Sequence, residues 1–542
     1  MFDAIRLEVL GSRLESIVEE CWSALYRGAF STIVAEACDF GCEVLDPRGG
    51  SVVHGRRSMP VFNLALPNTV RSLLERYPAA SLEPGDVLIT NDPWLCAGHL
   101  PDVAVVTPSF EGDRLLGFVA AVVNVSDIGA IRDGNQAQDV YEEGLFIPPM
   151  YLQRGGRPNG DLLALIAANV RLPATVLGDL QAMVAATSVG ARRVAALCAE
   201  AELADLEAVG SALRTQAERA ARRAVLAIPD GLHGARVSLD AIADGPRLEI
   251  GVEVRVAGDR IDVHYVDVPP QSPIGGRNCT WLYTRSHTAY ALKCLLTPDV
   301  RSNEGCYAPY HVEAPEGSLL RCRFGASVDV RQNTGWFLGP LLHRALSQAL
   351  PDRVQAPTGL PLGFYAFATL PDGRVLKDHL FQGGGQGASL GHDGMSTLLY
   401  PTSAGNVSVE MFEQRVPLWV ETKEWTAGSG GEGQFRGGLG QRVRLRRVPN
   451  TEADVHVGVQ PAGMGESPPG LFGGRPGRPT AITCRRNGRV RRLTRGGVMR
   501  LLRDDDYVEI ELAGGGGYGD PVRRAVDARD RDEREGLLAP RP

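Results

Sequence analysis

Apolar side chains recur at Ile5, Val9, Leu10, Leu14, Ile17, Val18, Cys21, Trp22 and Leu25, with Glu and Arg on the opposite face. That period of about 3.6 residues predicts one long amphipathic helix over 4–27. A second helix is predicted from Ser31 to Asp39. The strand-like GCEVLD, a DPRGG turn and SVVHG then read as a hairpin. Asn68 is placed to cap a helix through Arg76, and Pro84-Gly85 punctuates before the strand DVLIT. From Asp161 to Ala227 the chain is Ala-rich, and its propensity predicts helix throughout. Near Ile228 the period changes to two: VSLDAIAD, LEIGVEVRVAG and IDVHYVDV alternate as strands. TWLYTRSHTAYALKCLL returns to helix, and RALSQAL predicts a short one. After Gly359, GFYAFATL, RVLKDHLFQ, VRLRRV, ADVHVGV and YVEIELA read as strands among glycines.

The pattern predicts an α+β chain: an N-terminal α/β region with long helices and a C-terminal β-rich, Gly-rich region. The expected divisions are 1–227, 228–358, 359–523 and a charged segment 524–542, ending in DARDRDEREGLLAPRP and read as a solvated helix or tail. At 542 residues the chain is long enough for several cores. Its 57 Lys and Arg against 64 Asp and Glu give a formal charge of −7, which disfavours nucleic acid or an anionic membrane as partner. The longest apolar run lies around Leu115–Val123, far short of the ~18–20 residues a bilayer span needs. No basic segment followed by an apolar run opens the chain, so export is not expected and a cytoplasmic location is. Ten cysteines form no CxxC pair and are expected as buried, reduced thiols. Glycine clusters such as 383–385, 437–440 and 514–517 point to places where backbone packs on backbone. No GxxxxGK[ST] is present, and GGGQGASLG lacks the surrounding βαβ unit of a dinucleotide site.

The densest chemistry lies in Asn91-Asp92-Pro93-Trp94-Leu95-Cys96-Ala97-Gly98-His99-Leu100-Pro101-Asp102, which runs into the strand VAVV. Pairing this strand with Leu115–Val123 about a turn at Glu111-Gly112 matches residues whose numbers sum to 223. Position 99 then faces 124, and 102 faces 121. His99, Asp102, Asn124 and the following Ser126-Asp127 gather at one end of an otherwise apolar hairpin. That set suits a hard cation or a mixed nitrogen and oxygen metal site; the plain alternative is a polar hairpin end with a turn-capping Asp. Glu36 and Asp39, at i, i+3 on the expected helix, share a face among Val34, Cys38 and Phe40. Buried carboxylates there are costly unless a cation satisfies them.

AFSTIVAEACDF, LEPGDVLITNDPWLCAGHLPDVAVV, SDIGA, YEEGLFIPP, NVRLPATVLGDLQA, GGEGQFRGGLG and GGGGYGDP occur in an order that resembles the hydantoinase B/oxoprolinase family, over residues 1 to about 523. The resemblance implies a large subunit working with a hydantoinase A-type ATPase that binds ATP, as a homodimer within a hetero-oligomer. It also implies that a small substrate is activated by phosphorylation of a carbonyl or lactam oxygen. The family's divalent metal site would carry over to His99 and Asp102 with a carboxylate from Glu36 or Asp39. Its fourth ligand, a His, is replaced here by Asn124, and Ala130 stands where a second Gly is usual. An amide oxygen suits Mn²⁺ or Mg²⁺ better than Zn²⁺.

The function implied is ATP-dependent hydrolysis of a cyclic amide (a hydantoin, oxoproline or lactam), with metal-assisted water attack. Asp127, or whichever of Glu36 and Asp39 is not a ligand, would act as general base. An acetone- or acetophenone-type carboxylase subunit is the alternative chemistry, and a non-catalytic scaffold the alternative class.

Overall fold

The computed structural model describes residues 2–243 and 245–539. Helix α1, Ala4–Gly28, opens the chain, and Asp3 caps it by accepting from Arg6 N. Its predicted stripe is buried from Leu10 through Leu25; each fully buried Leu or Val contributes about 1.5–3 kcal/mol.

The second predicted helix is cut short. α2 spans only Thr32–Ala35. Its residues Thr32, Ile33 and Val34 are β-branched and poor helix formers. Ala37 N bonds Thr32 O, Asp39 N bonds Ile33 O and Cys38 takes φ 55°, closures that end the helix. Glu36 and Asp39 therefore share no helical face.

β1 (Phe40–Leu45) and β2 (Ser51–His54) form the expected hairpin. α3 runs Ala65–Arg76, so Asn68 lies inside it; Asn68 Nδ2 donates to Leu95 O and caps nothing. β3 (Val87–Thr90), β4 (Asp102–Glu111), β5 (Arg114–Asn124), β6 (Met150–Arg154) and β7 (Arg157–Pro158) complete a seven-stranded sheet ordered β2-β1-β5-β4-β3-β6-β7.

The Ala-rich stretch divides into α4 (Gly160–Asn169), α5 (Pro173–Glu200) and α6 (Glu207–Leu226). α5 is the one helix among the described residues long and apolar enough to cross a membrane, and half of its most apolar window is buried inside the protein. It lies against β4 and β5: Ser109 Oγ bonds Ala191 O at 2.7 Å, and a Cβ on Gly190 would stand 2.8 Å from Val119 Cγ1. Its apolar side is thus core packing.

β8 (Gly231–Leu239), β9 (Leu248–Ala257) and β10 (Arg260–Val266) follow, with α7 (Trp281–Leu296) and β11 (Tyr310–Glu313) completing a sheet ordered β11-β10-β9-β8. The strand predicted through VSLDAIAD ends at Leu239, and Asp244 lies outside the described residues. α8 (Gln332–Gly335) and α9 (Leu338–Ala345) precede the C-terminal region; of the helix predicted in RALSQAL only Arg344 and Ala345 are helical, as the last residues of α9, and 346–349 are turn.

β12 (Leu362–Thr369), β13 (Val375–Gln382), α10 (Val409–Arg415), β14 (Leu418–Trp425), β15 (Gln441–Arg447), β16 (Asp454–Val459), β17 (Ala481–Arg486), β18 (Arg489–Leu493), β19 (Gly497–Leu501) and β20 (Tyr507–Glu511) make two sheets, ordered β13-β12-β16-β19 and β14-β15-β20-β17-β18. Between them the glycine clusters pack backbone on backbone, as anticipated. Gly438 N donates to Gln386 O and Gly515 N to Gly438 O, and a Cβ on Gly438 would lie 1.9 Å from Met395 O.

The charged C-terminal segment holds α11 (Val526–Arg534) but is not simply solvated. Asp532 is buried between Arg436 and Arg524, and Leu537 is buried too. Residues 540–542 of that segment lie outside the described residues. All ten cysteines are free thiols, eight of them buried.

Candidate functional site

β4 and β5 place Asp102 directly opposite Asn124. The sum is 226, where the sequence predicts 223, so the expected pairs 99/124 and 102/121 are not formed. Glu111 pairs with Arg114, which sets the turn at Gly112-Asp113, one residue later than expected, and an irregularity between Ser109 and Phe110 adds one more step. On the other flank of β5, Phe40 pairs with Val123, which brings Asp39 beside Asn124. Asn124 N donates to Asp39 O at 3.1 Å and Asn124 Nδ2 to Asp39 Oδ2 at 3.2 Å. Asp39, Asn124 and Asp102 thus stand in a row across the ends of three adjacent strands, β1, β5 and β4.

His99 reaches this row from the 91–101 loop. Asn91 pins that loop, donating through Nδ2 to Leu100 O and Leu145 O and accepting from Ile147 N. Asp92 stays outside the site as a turn cap, accepting from Trp94 N. Gly98 has φ 94°, and a Cβ there would stand 2.9 Å from Arg331 Nε and 3.0 Å from Tyr283 Cβ. Glycine therefore meets both a left-handed backbone and a close approach. His99 Nδ1 lies 3.2 Å from Asp329 O, which orients the ring, while Nε2 is buried, 3.1 Å from Asp102 Oδ1 and with no hydrogen bond among the described residues. Arg331 closes the row: its guanidinium donates to Asp102 Oδ2 at 2.6 Å and to Ala97 O at 2.9 Å, and lies 4.3 Å over the Tyr283 ring.

Asp39, His99, Asp102 and Asn124 all line one cavity of about 720 Å³, mouth included. Burial and then the charge of Asp102 push the Asp39 carboxyl up to about 7, against the pull of Arg331 and Asn124. His287, in the same wall, is driven down to about 3 by burial and then by Arg331, so it is a neutral imidazole, with a buried, unbonded Nε2.

A divalent cation fits the donors in kind. His99 offers an unpartnered Nε2 whose Nδ1 is already engaged by a carbonyl, the usual arrangement of a ligating imidazole. Asp102 and Asp39 are carboxylates close enough for the charge of Asp102 to raise the proton affinity of Asp39. Yet among the described residues no group of three or more His, Cys, Asp or Glu side chains stands in ligating arrangement. Arg331 on Asp102 and Asn124 on Asp39 each hold one carboxylate oxygen, so a cation would share Asp102 with Arg331.

Two sequence candidates are placed elsewhere. Glu36 is half-buried outside this cavity, its carbonyl packed against Gly405. Of the Glu36/Asp39 alternatives, Asp39 is the residue at the row. Asp127 does not suit a general base. It is buried and accepts from Arg171 Nη1 at 3.0 Å and Lys377 Nζ at 3.1 Å. Burial works to raise its proton affinity, but Lys377 and Arg171 hold the carboxyl below the usual range.

Sequence reading missed Arg331, Asp329, Tyr283 and Lys377, which arrive from segments more than 150 residues downstream with no local motif. It also missed Glu143. Burial and then Asp329 push that carboxyl up to about 9, while it accepts from Val328 N and Asp329 N, fixing the segment whose carbonyl aims His99. Glu143 lies in the quoted YEEGLFIPP stretch, and that was its one signal.

The hydantoinase B/oxoprolinase family profile matches residues 3–521. A putative B-type subunit of a D-/L-hydantoinase from Pseudomonas sp. (strain NS671) is 28% identical, with 99% of this chain and 93% of that one aligned. The 5-oxoprolinase 1 of Arabidopsis thaliana is 27% identical over 96% of this chain, which covers only 42% of that protein. The crystal structure of the ATP-dependent caprolactamase from Pseudomonas jessenii has the same fold, with a TM-score of 0.88 over 99% of this chain and 95% of that one, at 24% identity.

Proposed function

This chain belongs to the hydantoinase B/oxoprolinase family, and from that premise we propose that it is the B-type subunit of an ATP-dependent hydrolase of a cyclic amide. The observation that carries the reading is the row of Asp39, Asn124, Asp102 and His99 at one cavity, closed by Arg331. A hydantoinase relative that is itself one component of a larger enzyme, and an oxoprolinase whose own chain extends well beyond the aligned part, support a second polypeptide. That partner is an A-type ATPase, and the assembly contains this chain as a homodimer.

In this reading the partner transfers the terminal phosphoryl group of ATP to the ring amide oxygen and releases ADP. Water adds to the ring carbon, and the C–N bond breaks with its electron pair going to nitrogen, which takes up a proton. The acyl phosphate that remains reacts with a second water to give a carboxylate and inorganic phosphate. Within this chain, His99 Nε2, Asp102 Oδ1 and Asp39 would hold a divalent cation, with Asn124 as a neutral neighbour that favours Mn²⁺ or Mg²⁺ over Zn²⁺. Such a cation, when bound, lowers the pKa of water. Asn91 and Glu143 keep His99 in place. Arg331 offsets the charge of Asp102, and the neutral imidazole of His287 offers hydrogen bonding to an uncharged ring without repelling it.

The test is co-expression with the cognate A-type subunit, followed by assays of ATP hydrolysis with a hydantoin, 5-oxoproline or a lactam. The expected result is cyclic-amide-stimulated ATPase in the complex and none in this chain alone. Stoichiometric ATP binding by this chain alone, measured by calorimetry, overturns the division of labour. Bicarbonate-dependent carboxylation of a ketone would place the complex in the carboxylase branch instead. A complex with neither activity and no metal would make this chain a scaffold.

A further inference from the structure

His99 and Asn124 line a second chamber as well as the first, about 620 Å³ with its mouth. Its polar groups are left over from folding. Ser126 Oγ and His379 Nδ1 are buried in its wall with no hydrogen-bond partner among the described residues. Lys377 extends into the same wall with only 12% of its side chain exposed. Its ammonium has three N–H groups, and among the described residues only Asp127 Oδ1 accepts from it.

The sharing of Asp127 points in the same direction. The single carboxylate of Asp127 serves both Lys377 and Arg171, and the exposed Arg132 stands at the chamber's edge. Across the chamber Lys377 and Arg132 face Asp127 and Asp329, but Asp127 is shared with Arg171 from outside the lining, so the buried ammonium of Lys377 has only part of one carboxylate. A buried ammonium beside unfilled donors of this kind is completed by an anion with several acceptor oxygens.

We propose that this chamber is a seat for a phosphoryl dianion, held by Lys377, Ser126 and His379 beside the first cavity, with which it shares His99 and Asn124. The assignment rests on the phosphorylation reading above for its purpose. There, the ring carbon faces the first cavity while its phosphoryl oxygen sits in the second. His379 stays a neutral hydrogen-bonding group there, since burial and then Lys377 keep its proton affinity well below the ordinary value, against the opposing pull of Asp127. The chemistry is shared by the phosphorylated intermediate and by free phosphate as product.

The probe is inorganic phosphate, titrated calorimetrically into the full-length, chelator-treated chain at constant ionic strength, with acetate as the comparison anion. One saturable phosphate site is expected, weakened about tenfold or more by Ser126→Ala and by His379→Phe, with acetate binding far more weakly. Lys377→Met should abolish it, but that change strips Asp127 of a partner and puts folding at risk, so the other two variants carry the test. Absence of saturable binding, equal affinity in Ser126→Ala, His379→Phe and the natural chain, or acetate binding as well as phosphate would overturn the seat. In the complex, slower ring opening by Ser126→Ala assigns the seat to the intermediate. Unchanged ring opening with weaker inhibition by added phosphate assigns it to the product. Phosphate binding needs neither partner nor ATP, so a complex that opens no cyclic amide would sink the hydrolase reading without touching this result.

Discussion

Arg331→Met tests whether the row of carboxylates depends on its one buried guanidinium. Asp102 is 1% exposed and Arg331 5%, with Nη2 2.6 Å from Oδ2. Methionine keeps most of the stem volume over Tyr283 but removes the charge. Breaking a buried ion pair from one side costs about 3–5 kcal/mol, because the remaining charge is left uncompensated. The loss is local, so it should appear as easier opening of the strand ends rather than as global unfolding. At about 1.4 kcal/mol per factor of ten, hydrogen exchange at the reporting amides should accelerate by roughly two to four powers of ten. Those amides are Val125, which bonds Pro101 O, and Asn124, which bonds Asp39 O. Amides of β15 and β20, in a different sheet, should be unaffected. Adding Asp102→Asn to Arg331→Met removes both charges and should recover about 2 kcal/mol or more as coupling. The measurement is hydrogen exchange with mass spectrometry on chelator-treated protein. Acceleration under about threefold, or a double variant no better than the sum of the singles, would refute the argument that this pair holds the site.

Competitive chelator titration should show Asn124→His holding Zn²⁺ about 10–100-fold more tightly than the natural chain, and His99→Ala or Asp102→Ala holding none; equal retention by the natural chain and His99→Ala would make these residues structural. Glu143 carries a folded-state pKa of about 9 against an ordinary 4.5, so the folded state keeps a proton that the unfolded chain loses. Its contribution is complete below about 4.5 and is lost as pH rises toward about 9. The melting temperature should therefore fall between pH 6 and 9 in the natural chain, with a flatter profile in Glu143→Gln; identical slopes would contradict this. Gly438→Ala drives a Cβ to 1.9 Å from Met395 O and should abolish soluble expression, whereas Gly160→Ala, with nothing within 4 Å, should be neutral.

Much of this protein follows from its sequence alone. The long helix at 4–28, the β1–β2 hairpin, the strands after Ile228 and the glycine-on-glycine packing follow from period and composition, because those are local properties of the chain. The residue types of the site, His99, Asp102, Asn124 and Asp39, were legible as an unusual polar cluster at strand ends. Their arrangement was not. The register moved by three through a turn one residue later and one irregularity; Gly112 and Gly117 mark where they fall but not how far the pairing slips. The left-handed Cys38 that separates Glu36 from Asp39 depends on how the short helix is closed, which helical spacing does not encode. The loss of Asp127 as a base, the guanidinium on Asp102 and the chamber around Lys377 are decided by tertiary structure, since Arg331 lies 229 positions from Asp102 and Lys377 250 from Asp127. A charge takes its role from what surrounds it once water is removed, and those surroundings come from segments with no local signal of their meeting.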